Sequence, residues 1–184
     1  MRASLPLGWR FDAPPEQLNT PLHDFPRGRI SEINGPRSSG RTALLNCVLA
    51  ASTNQGECAA LVDALDSFDP CSAEAAGVKL ENLLWIRCKS NPEHALRAAD
   101  LLIQAGGFGV IALDLIELAH RELARIPSTA WFRFRRAIEP SPTVLVVLAD
   151  HAITKSCAAK RVTLERRKPV FTGQHPFQLL REAV

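Results

Sequence analysis

The residue types best suited to chemistry form one short segment, which reads Gly35-Pro36-Arg37-Ser38-Ser39-Gly40-Arg41-Thr42. It follows the pattern GxxxxGK[ST], in which backbone N–H groups hold phosphates, lysine reaches the outer phosphates and the final hydroxyl binds Mg²⁺. Arg41 stands at the lysine position. Arginine keeps the charge, but its planar fork does not fit the compact site of an ammonium group between phosphates. The segment therefore predicts a nucleotide-binding loop without by itself predicting catalysis.

The flanking sequence provides the elements that such a loop needs. An apolar, strand-like run at 29–34 precedes it, and a helix-like stretch at 41–54 follows it. Further strands are expected at 58–63, 82–87, 109–114 and 143–149, and helices at 70–76, 91–105 and 117–138, the last broken near Pro127. Short apolar strands that alternate with helices predict an α/β fold with a mostly parallel twisted sheet covered on both faces. Strand candidates at 158–166 and 169–172 have no helix between them, so we expect antiparallel edge strands near the C-terminus.

A second chemical candidate is Asp114, which ends the apolar run at 109–114. An aspartate at the carboxyl end of a strand next to a phosphate loop can bind Mg²⁺ together with a hydroxyl such as that of Thr42. The alternative is a structural one, because aspartate also caps the N-terminus of a following helix.

Size and composition bound the class of protein. The chain has 184 residues and a formal charge of +3, which suit one globular domain and do not by themselves indicate nucleic-acid binding. Its five cysteines form no CxxC pair, so neither a disulfide framework nor a zinc site is expected and a reducing cytoplasm fits best. No signal peptide or membrane span is apparent. We divide the chain into an extended N-terminal segment at 1–26, a core at 27–172 and a tail at 173–184.

Several strings carry a resemblance to a known family. The segment from Phe25 to Pro36 leads into the loop, Phe68-Asp69-Pro70 follows the second strand, and Ala76–Leu84 precedes the third. Together they resemble the RecA recombinase superfamily over residues 25–167, which implies a RecA-like P-loop core. The short length and the strings at 130–133 and 156–159 look most like the ImuA family of accessory proteins in SOS-induced translesion mutagenesis.

The resemblance also predicts which chemistry is missing. It places Leu65 where the recombinase has its water-activating glutamate, and general-base help is worth about 10²–10⁴-fold in rate. Asp63 or Asp66 could substitute, although a shift of one residue along a strand turns the side chain to the other face. The glutamine that senses the γ-phosphate falls on Asp150. ATP and Mg are therefore expected to bind through residues 35–42 and Asp114 at most, with no catalytic residue assigned.

Nucleic-acid contact is expected to be reduced as well. The recombinase's two DNA-binding loops correspond here to a helix-like stretch at 117–125 and a short link at 151–155. The remaining cationic candidates near the C-terminus are Lys160, Arg161, Arg166, Arg167 and Lys168. Cationic edge strands also discourage aggregation, which is an equal alternative. Arg133, Arg135 and Arg136 lie among aromatic residues, but Trp131, Phe134 and Ile138 have the spacing of a helix face that packs into a core.

Both ends of the chain have the pattern of partner-binding segments. Leu5, Leu7, Trp9 and Phe11 alternate, which suits a strand added to RecA or to a second copy, or one folded back on its own sheet. Phe177 and Leu180 have the spacing of a short docking helix. By resemblance its target would be a Y-family-like polymerase subunit of the ImuB type or the replication clamp, and the alternative is packing on its own domain.

These observations support three hypotheses of function. The first is a RecA-like accessory or adaptor protein in the bacterial DNA damage response, a degenerate ATPase without efficient hydrolysis or strand exchange. The second is an active DNA-dependent ATPase that uses Arg41, Thr42 and Asp114. The third is a modulator that caps or disassembles RecA filaments.

Overall fold

The computed structural model describes residues 15–166. The predictions for Leu5, Leu7, Trp9, Phe11, Arg167, Lys168, the strand at 169–172, Phe177 and Leu180 lie outside these residues.

The described chain alternates strands and helices, as the apolar pattern predicts. The elements are β1 (Gln17–Asn19), β2 (Asp24–Pro26), β3 (Ile30–Asn34), α1 (Arg41–Asn54), β4 (Cys58–Asp63), α2 (Pro70–Ala75), β5 (Leu83–Arg87), α3 (Pro92–Ala105), β6 (Phe108–Asp114), α4 (His120–Ala124), α5 (Ser128–Ile138), β7 (Val144–Ala149) and β8 (Ala158–Thr163). The break expected near Pro127 is confirmed, because this proline immediately precedes α5 and fixes an extended conformation there.

The central sheet has six strands in the order β5-β4-β6-β7-β3-β8, and every neighbouring pair is parallel. Helices α1 and α2 contribute buried side chains to the core on one face, and α3, α4 and α5 to the core on the other. Strands β6 and β7 are almost continuously buried, which explains their apolar sequences. The α/β class with a parallel sheet covered on both faces is confirmed.

The C-terminal strand corrects one prediction. We expected an antiparallel edge over 158–166, whereas β8 ends at Thr163 and runs parallel to β3, with Ser31 opposite Lys160 and Asn34 opposite Thr163. Parallel strands usually need a crossover of a dozen or more residues with a helix. Here the short link 150–157 crosses the sheet without an α-helix, and Ile153 and Cys157 pack into the same core as α5.

Buried Glu32 of β3 fixes this short crossover. Its carboxylate accepts hydrogen bonds from the backbone N–H groups of Ile153 (2.6 Å) and Thr154 (3.1 Å) and from the Thr154 hydroxyl (2.8 Å). Arg161 of β8 donates to the same carboxylate at 2.7 Å. Because these donors satisfy the buried charge, the link can lie flat against the sheet without a helix.

The predicted extended segment at 1–26 contains a small hairpin where the structure describes it. Strands β1 and β2 pair antiparallel, with Leu18 opposite Phe25. Both of these side chains are fully buried in the same core as α1. The hairpin is therefore packed on the central sheet. Among the described residues, no helix has the length and apolar character that crossing a bilayer requires.

Candidate nucleotide-binding site

The predicted phosphate loop connects the carboxyl end of β3 to the first residue of α1. Gly35 has a φ of 153°, and a side chain there would come within 2.3 Å of the Leu164 carbonyl oxygen. Gly40 is the N-cap residue of α1 and has a φ of 97°, a region that favours glycine. The two glycines of the motif thus allow a turn and a close backbone approach that other residues would strain.

The loop presents hydrogen-bond donors at the N-terminus of α1. The first backbone bond of the helix is donated by Leu44 N–H to the Gly40 carbonyl at 2.9 Å, so the N–H groups of residues 41–43 lie ahead of it. No side chain caps this end, and the first turn contains no acidic residue. The Ser39 hydroxyl is buried and has no hydrogen-bond partner within residues 15–166. Such a set of donors at the positive end of a helix dipole fits phosphate oxygens.

Arg41 does not extend freely into this loop. Its side chain is only 5% exposed and forms an ion pair with the Asp150 carboxylate. The same guanidinium nitrogen lies 3.3 Å from the Ala149 carbonyl oxygen, at the carboxyl end of β7. The residue expected to replace the phosphate-binding lysine is therefore held by the residue expected to replace the γ-phosphate sensor.

Asp114 is located at the carboxyl end of β6, directly opposite Asp63 of β4. Its carboxylate accepts a hydrogen bond from Ile116 N–H at 2.9 Å, which is a local turn contact. Burial raises the pKa of Asp114 to about 7, and nearby Asp63 acts in the same direction, whereas Ile116 N–H and Arg41 oppose it. The carboxyl is therefore partly protonated at neutral pH, and a bound cation would favour its ionised form.

The Asp63 carboxylate is held by hydrogen bonds, most of them from the turn that follows β4. It accepts N–H hydrogen bonds from Asp66 (2.8 Å), Ser67 (3.2 Å) and Phe68 (2.9 Å), and one from the Trp85 indole at 3.3 Å. Buried and held by four donors, this carboxylate acts as the scaffold of the turn.

Neither of the other two positions in this turn supplies a free base. Leu65 packs against the core beside α3 and α5. Asp66 forms an ion pair with Arg87 through both carboxylate oxygens, and this contact lowers the pKa of Asp66. The turn after β4 is thus closed by its own contacts.

The remaining loop residues are at the surface. Thr42 is exposed at the start of α1, and Pro36, Arg37 and Ser38 are exposed in the loop. Arg37 forms an ion pair of 2.7 Å with Glu117, which lies in the turn after β6. This pair links the loop to the segment that follows Asp114.

Comparison with known proteins identifies the family. Residues 17–123, more than half of the chain, match the RecA N-terminal domain. The chain belongs to the RecA N-terminal domain family. It is 45% identical over 92 residues to Protein RecA of Methylococcus capsulatus, a match that covers 50% of this chain and 26% of that protein. It is 44% identical over 91 residues to Protein RecA of Rubrobacter xylanophilus, again covering 50% of this chain and 26% of that protein.

The chain therefore spans about a quarter of the length of the curated relatives that it matches. The predicted RecA-superfamily resemblance is confirmed, together with the α/β core that it implies. The family match ends at residue 123 and so includes the phosphate loop, Asp63, Leu65 and Asp114, but not Asp150.

The predicted nucleic-acid candidates of the RecA-like core are mostly held by internal contacts. Lys160 donates to the Asp24 carbonyl at 2.6 Å and lies 5.4 Å from the centre of the Phe25 ring. Arg161 is paired with Glu32, and Arg166 is exposed beyond the end of β8. On α5, the core stripe is confirmed, because Trp131, Phe134 and Ile138 are buried.

Two features of the site were not predicted from the sequence. The pairing of Arg41 with Asp150 joins residues 109 positions apart and has no local pattern. The buried Glu32 that anchors the crossover looked like an ordinary polar residue in a strand. The only available signal was a charged residue beside Ser31 in a short strand, between apolar Ile30 and Ile33. Within the part of the chain that the structure describes, no three His, Cys, Asp or Glu side chains are grouped to hold a metal ion.

Proposed function

We propose that this chain is a RecA-like accessory or adaptor protein of the bacterial DNA damage response, with a phosphate loop that binds nucleotide weakly and does not hydrolyse it efficiently. The observation that supports this most directly is the ion pair between Arg41 and Asp150, which engages the cation at the head of the loop. In a working site that cation must stabilise charge on the transferred phosphoryl group.

The loop retains the groups needed to hold ATP with Mg. The N–H groups at the start of α1 and the buried Ser39 hydroxyl would bind phosphate oxygens. The Thr42 hydroxyl and the Asp114 carboxylate are the side chains that would hold Mg²⁺. When bound, the ion would neutralise phosphate charge. The backbone N–H groups and the Ser39 hydroxyl do not depend on the Arg41 side chain, so phosphate binding requires only that the loop stay accessible.

Hydrolysis needs a group that orients or activates water, and the candidates are committed elsewhere. Asp63 accepts four hydrogen bonds, and Asp66 is paired with Arg87. Leu65 has no acceptor atom and packs into the core. We infer that nucleotide, where it binds, stabilises the folded protein as a bound ligand and is not hydrolysed efficiently.

The biological part of the proposal is a role in SOS mutagenesis and translesion synthesis. RecA and a Y-family-like polymerase subunit of the ImuB type would be the protein partners, through the N-terminal residues 1–12 and the tail at 173–184. Self-association and weak DNA binding are compatible with a RecA-like core. The five cysteines are all unpaired, which supports action in a reducing cytoplasm.

Calorimetric titration with ATP and MgCl₂, together with an assay of phosphate release, tests the nucleotide part. We expect weak binding and phosphate release at the buffer rate, with and without single-stranded DNA. Asp150→Asn frees the Arg41 guanidinium and should tighten binding by about tenfold, the value of one charge-assisted hydrogen bond. Asp100→Asn is the matched control, because it removes the same charge next to Arg133, far from the loop in sequence.

Turnover above the buffer rate that disappears in an Asp114→Ala protein would instead establish an active ATPase. For the partner role, the full chain should retain purified RecA in a pull-down, and removal of residues 1–12 should abolish this. Unchanged retention would remove the N-terminal segment from the proposal. A decrease in RecA's own DNA-dependent ATPase activity would favour the filament-capping alternative.

A further inference from the structure

The last residue of β3 carries a buried amide donor that the protein does not use. Asn34 is only 4% exposed, and its Nδ2 atom makes no hydrogen bond with any residue from 15 to 166. Buried polar groups are nearly always hydrogen-bonded to protein, to water or to a ligand, so each exception needs an explanation. The Asn34 amide therefore indicates an acceptor that the described chain does not supply.

This amide lies directly at the phosphate loop. Asn34 is followed by Gly35, the first residue of the loop, and a side chain on Gly35 would come within 2.9 Å of the Ser39 hydroxyl oxygen. That hydroxyl is also buried and has no partner within the described residues. The start of α1 attracts anions, and the Asn34 amide independently indicates a ligand that accepts hydrogen bonds.

The neighbours of Asn34 indicate which part of a nucleotide it would contact. Side chains two residues apart on a strand share a face, so Asn34 lies on the face of Glu32, which the link 150–157 covers. In the sheet Asn34 lies opposite Ala149 of β7. The Arg41 guanidinium reaches the same strand end, 3.3 Å from the Ala149 carbonyl oxygen. Because the side chain at the position of Arg41 serves the outer phosphates in this motif, Asn34 is located beside the place of the terminal phosphate.

We infer that the Asn34 side-chain amide donates a hydrogen bond to the terminal phosphate of a bound nucleoside triphosphate, and so makes the loop distinguish ATP from ADP. The inference rests on the proposed function, because it requires that the loop bind nucleotide. Asp150, beyond Ala149 at the same edge, is unsuited to this contact, since a carboxylate only accepts hydrogen bonds and this one is paired with Arg41. ADP has no phosphate at this place, so with ADP the amide would stay unpaired.

Calorimetric titration of the full chain with ATP and with ADP, each with MgCl₂, measures this discrimination. The original protein should bind ATP at least about tenfold more tightly than ADP, the value of one hydrogen bond to a charged group. Asn34→Ala should weaken ATP binding by at least about tenfold and ADP binding by less than about twofold. The preference for ATP should therefore disappear in this variant.

Asn46→Ala is the matched control for this change. Asn46 is 6% exposed and also has an unpaired side-chain atom among the described residues, but it lies in α1 beyond the first turn. Its replacement should leave the ratio of ATP affinity to ADP affinity within about twofold of the original.

A second variant separates ligand binding from a structural role of the amide. Asn34→Leu keeps a similar side-chain size and removes the polar atoms. Replacement of an unsatisfied buried amide by an apolar group should keep or raise the melting temperature of the nucleotide-free protein, whereas loss of a structural hydrogen bond would lower it. Thermal unfolding without nucleotide measures this effect, and a lower melting temperature would contradict the inference.

The amide can also be observed directly by NMR in the full chain labelled with ¹⁵N at asparagine. The side-chain signals that are lost in Asn34→Ala identify this residue, and they should shift with ATP and MgCl₂ but much less with ADP. If neither nucleotide binds, the proposed function fails and this inference fails with it. If ATP and ADP bind equally tightly, or if Asn34→Ala weakens both equally, the loop binds nucleotide as proposed but Asn34 does not contact the terminal phosphate.

Discussion

The loop after β3 and the turn after β4 lie at the same edge of the sheet, yet their polar groups have opposite surroundings. In the loop, the N–H groups at the start of α1 lie ahead of the first helical hydrogen bond, and the Ser39 hydroxyl is unpaired among the described residues. In the turn, Asp63 and Asp66 are both held by donors of the protein itself. The loop is open to a ligand, whereas the turn is closed.

Binding a phosphate and cleaving it therefore depend on separate parts of one fold. Binding needs backbone N–H donors and a helix N-terminus, and glycines at the right positions allow the backbone to present them. Cleavage needs free side chains at fixed places, and each of these can be lost to a local contact. A RecA-like core can therefore keep the first function without the second.

The largest effect is expected on removal of Asp63, the side chain that closes the turn. Asp63→Ala leaves three N–H groups and the Trp85 indole without their acceptor, and Asp63 is fully buried. The donors are only partly buried, and a hydrogen bond to a charged group contributes about 1.5–3 kcal/mol, so for the set of four we expect a loss of about 3–4 kcal/mol in the free energy of unfolding. Urea unfolding followed by circular dichroism measures it.

The matched change in the loop is Thr42→Ala, which truncates an exposed side chain at the start of α1. Its effect on the free energy of unfolding should stay within about 0.5 kcal/mol. If the two variants lose similar stability, the turn is not a structural unit and the contrast between the two regions is wrong.

Much of the fold could be predicted from the sequence, because buried parallel strands and amphipathic helices have strong local signals. Helix α1 and strand β4 begin and end where they were expected, and the other strands of the central sheet are within a residue or two, except for β8. The direction of β8 was missed because its crossover is held by a side chain, Glu32, more than a hundred residues earlier. Local patterns do not report such a contact.

The candidate site was predictable only in part, for the same reason. The loop and Asp114 follow from residue types at fixed spacing next to apolar strands. The pairing of Arg41 with Asp150 depends on β3 and β7 being neighbours in the sheet, with Asn34 opposite Ala149. The order of the strands in the sheet sets that adjacency. The sequence could therefore suggest that Arg41 and Asp150 each depart from the family pattern, but not that they contact each other.

Asp114 lies between the two regions, at the end of β6, and its titration shows which of them it belongs to. Burial raises its pKa in the folded state to about 7, above about 3.9 for an unfolded aspartate. Between these values the folded state binds more protons than the unfolded state, so its contribution to stability is complete below pH 4 and is lost as the pH rises through 7. The difference between the folded and unfolded pKa values of Asp114 corresponds to about 4 kcal/mol at most.

Comparison with Asp114→Asn isolates this contribution, since asparagine stays neutral at every pH. The stability of the original protein minus that of the variant should fall by up to about 4 kcal/mol between pH 4 and pH 8. If this stability difference does not change with pH, the Asp114 carboxyl is ionised over the whole range. Asp114 would then resemble the solvent-accessible groups of the loop and not the buried groups of the turn. Adding ATP with MgCl₂ at pH 7 should reduce the loss, because a bound cation favours the carboxylate.

The smallest expected effect concerns the ion pair between Arg37 and Glu117, which joins the loop to the segment after β6. Both side chains are exposed, so Glu117→Gln should change the free energy of unfolding by less than about 0.5 kcal/mol. It would release Arg37 beside the phosphate-binding N–H groups, and ATP affinity should rise by about twofold at low salt. The gain should vanish in concentrated salt, because exposed charges are screened there. A gain that persists, or a stability loss above about 1 kcal/mol, would mean that this pair closes the loop as firmly as Asp63 closes the turn.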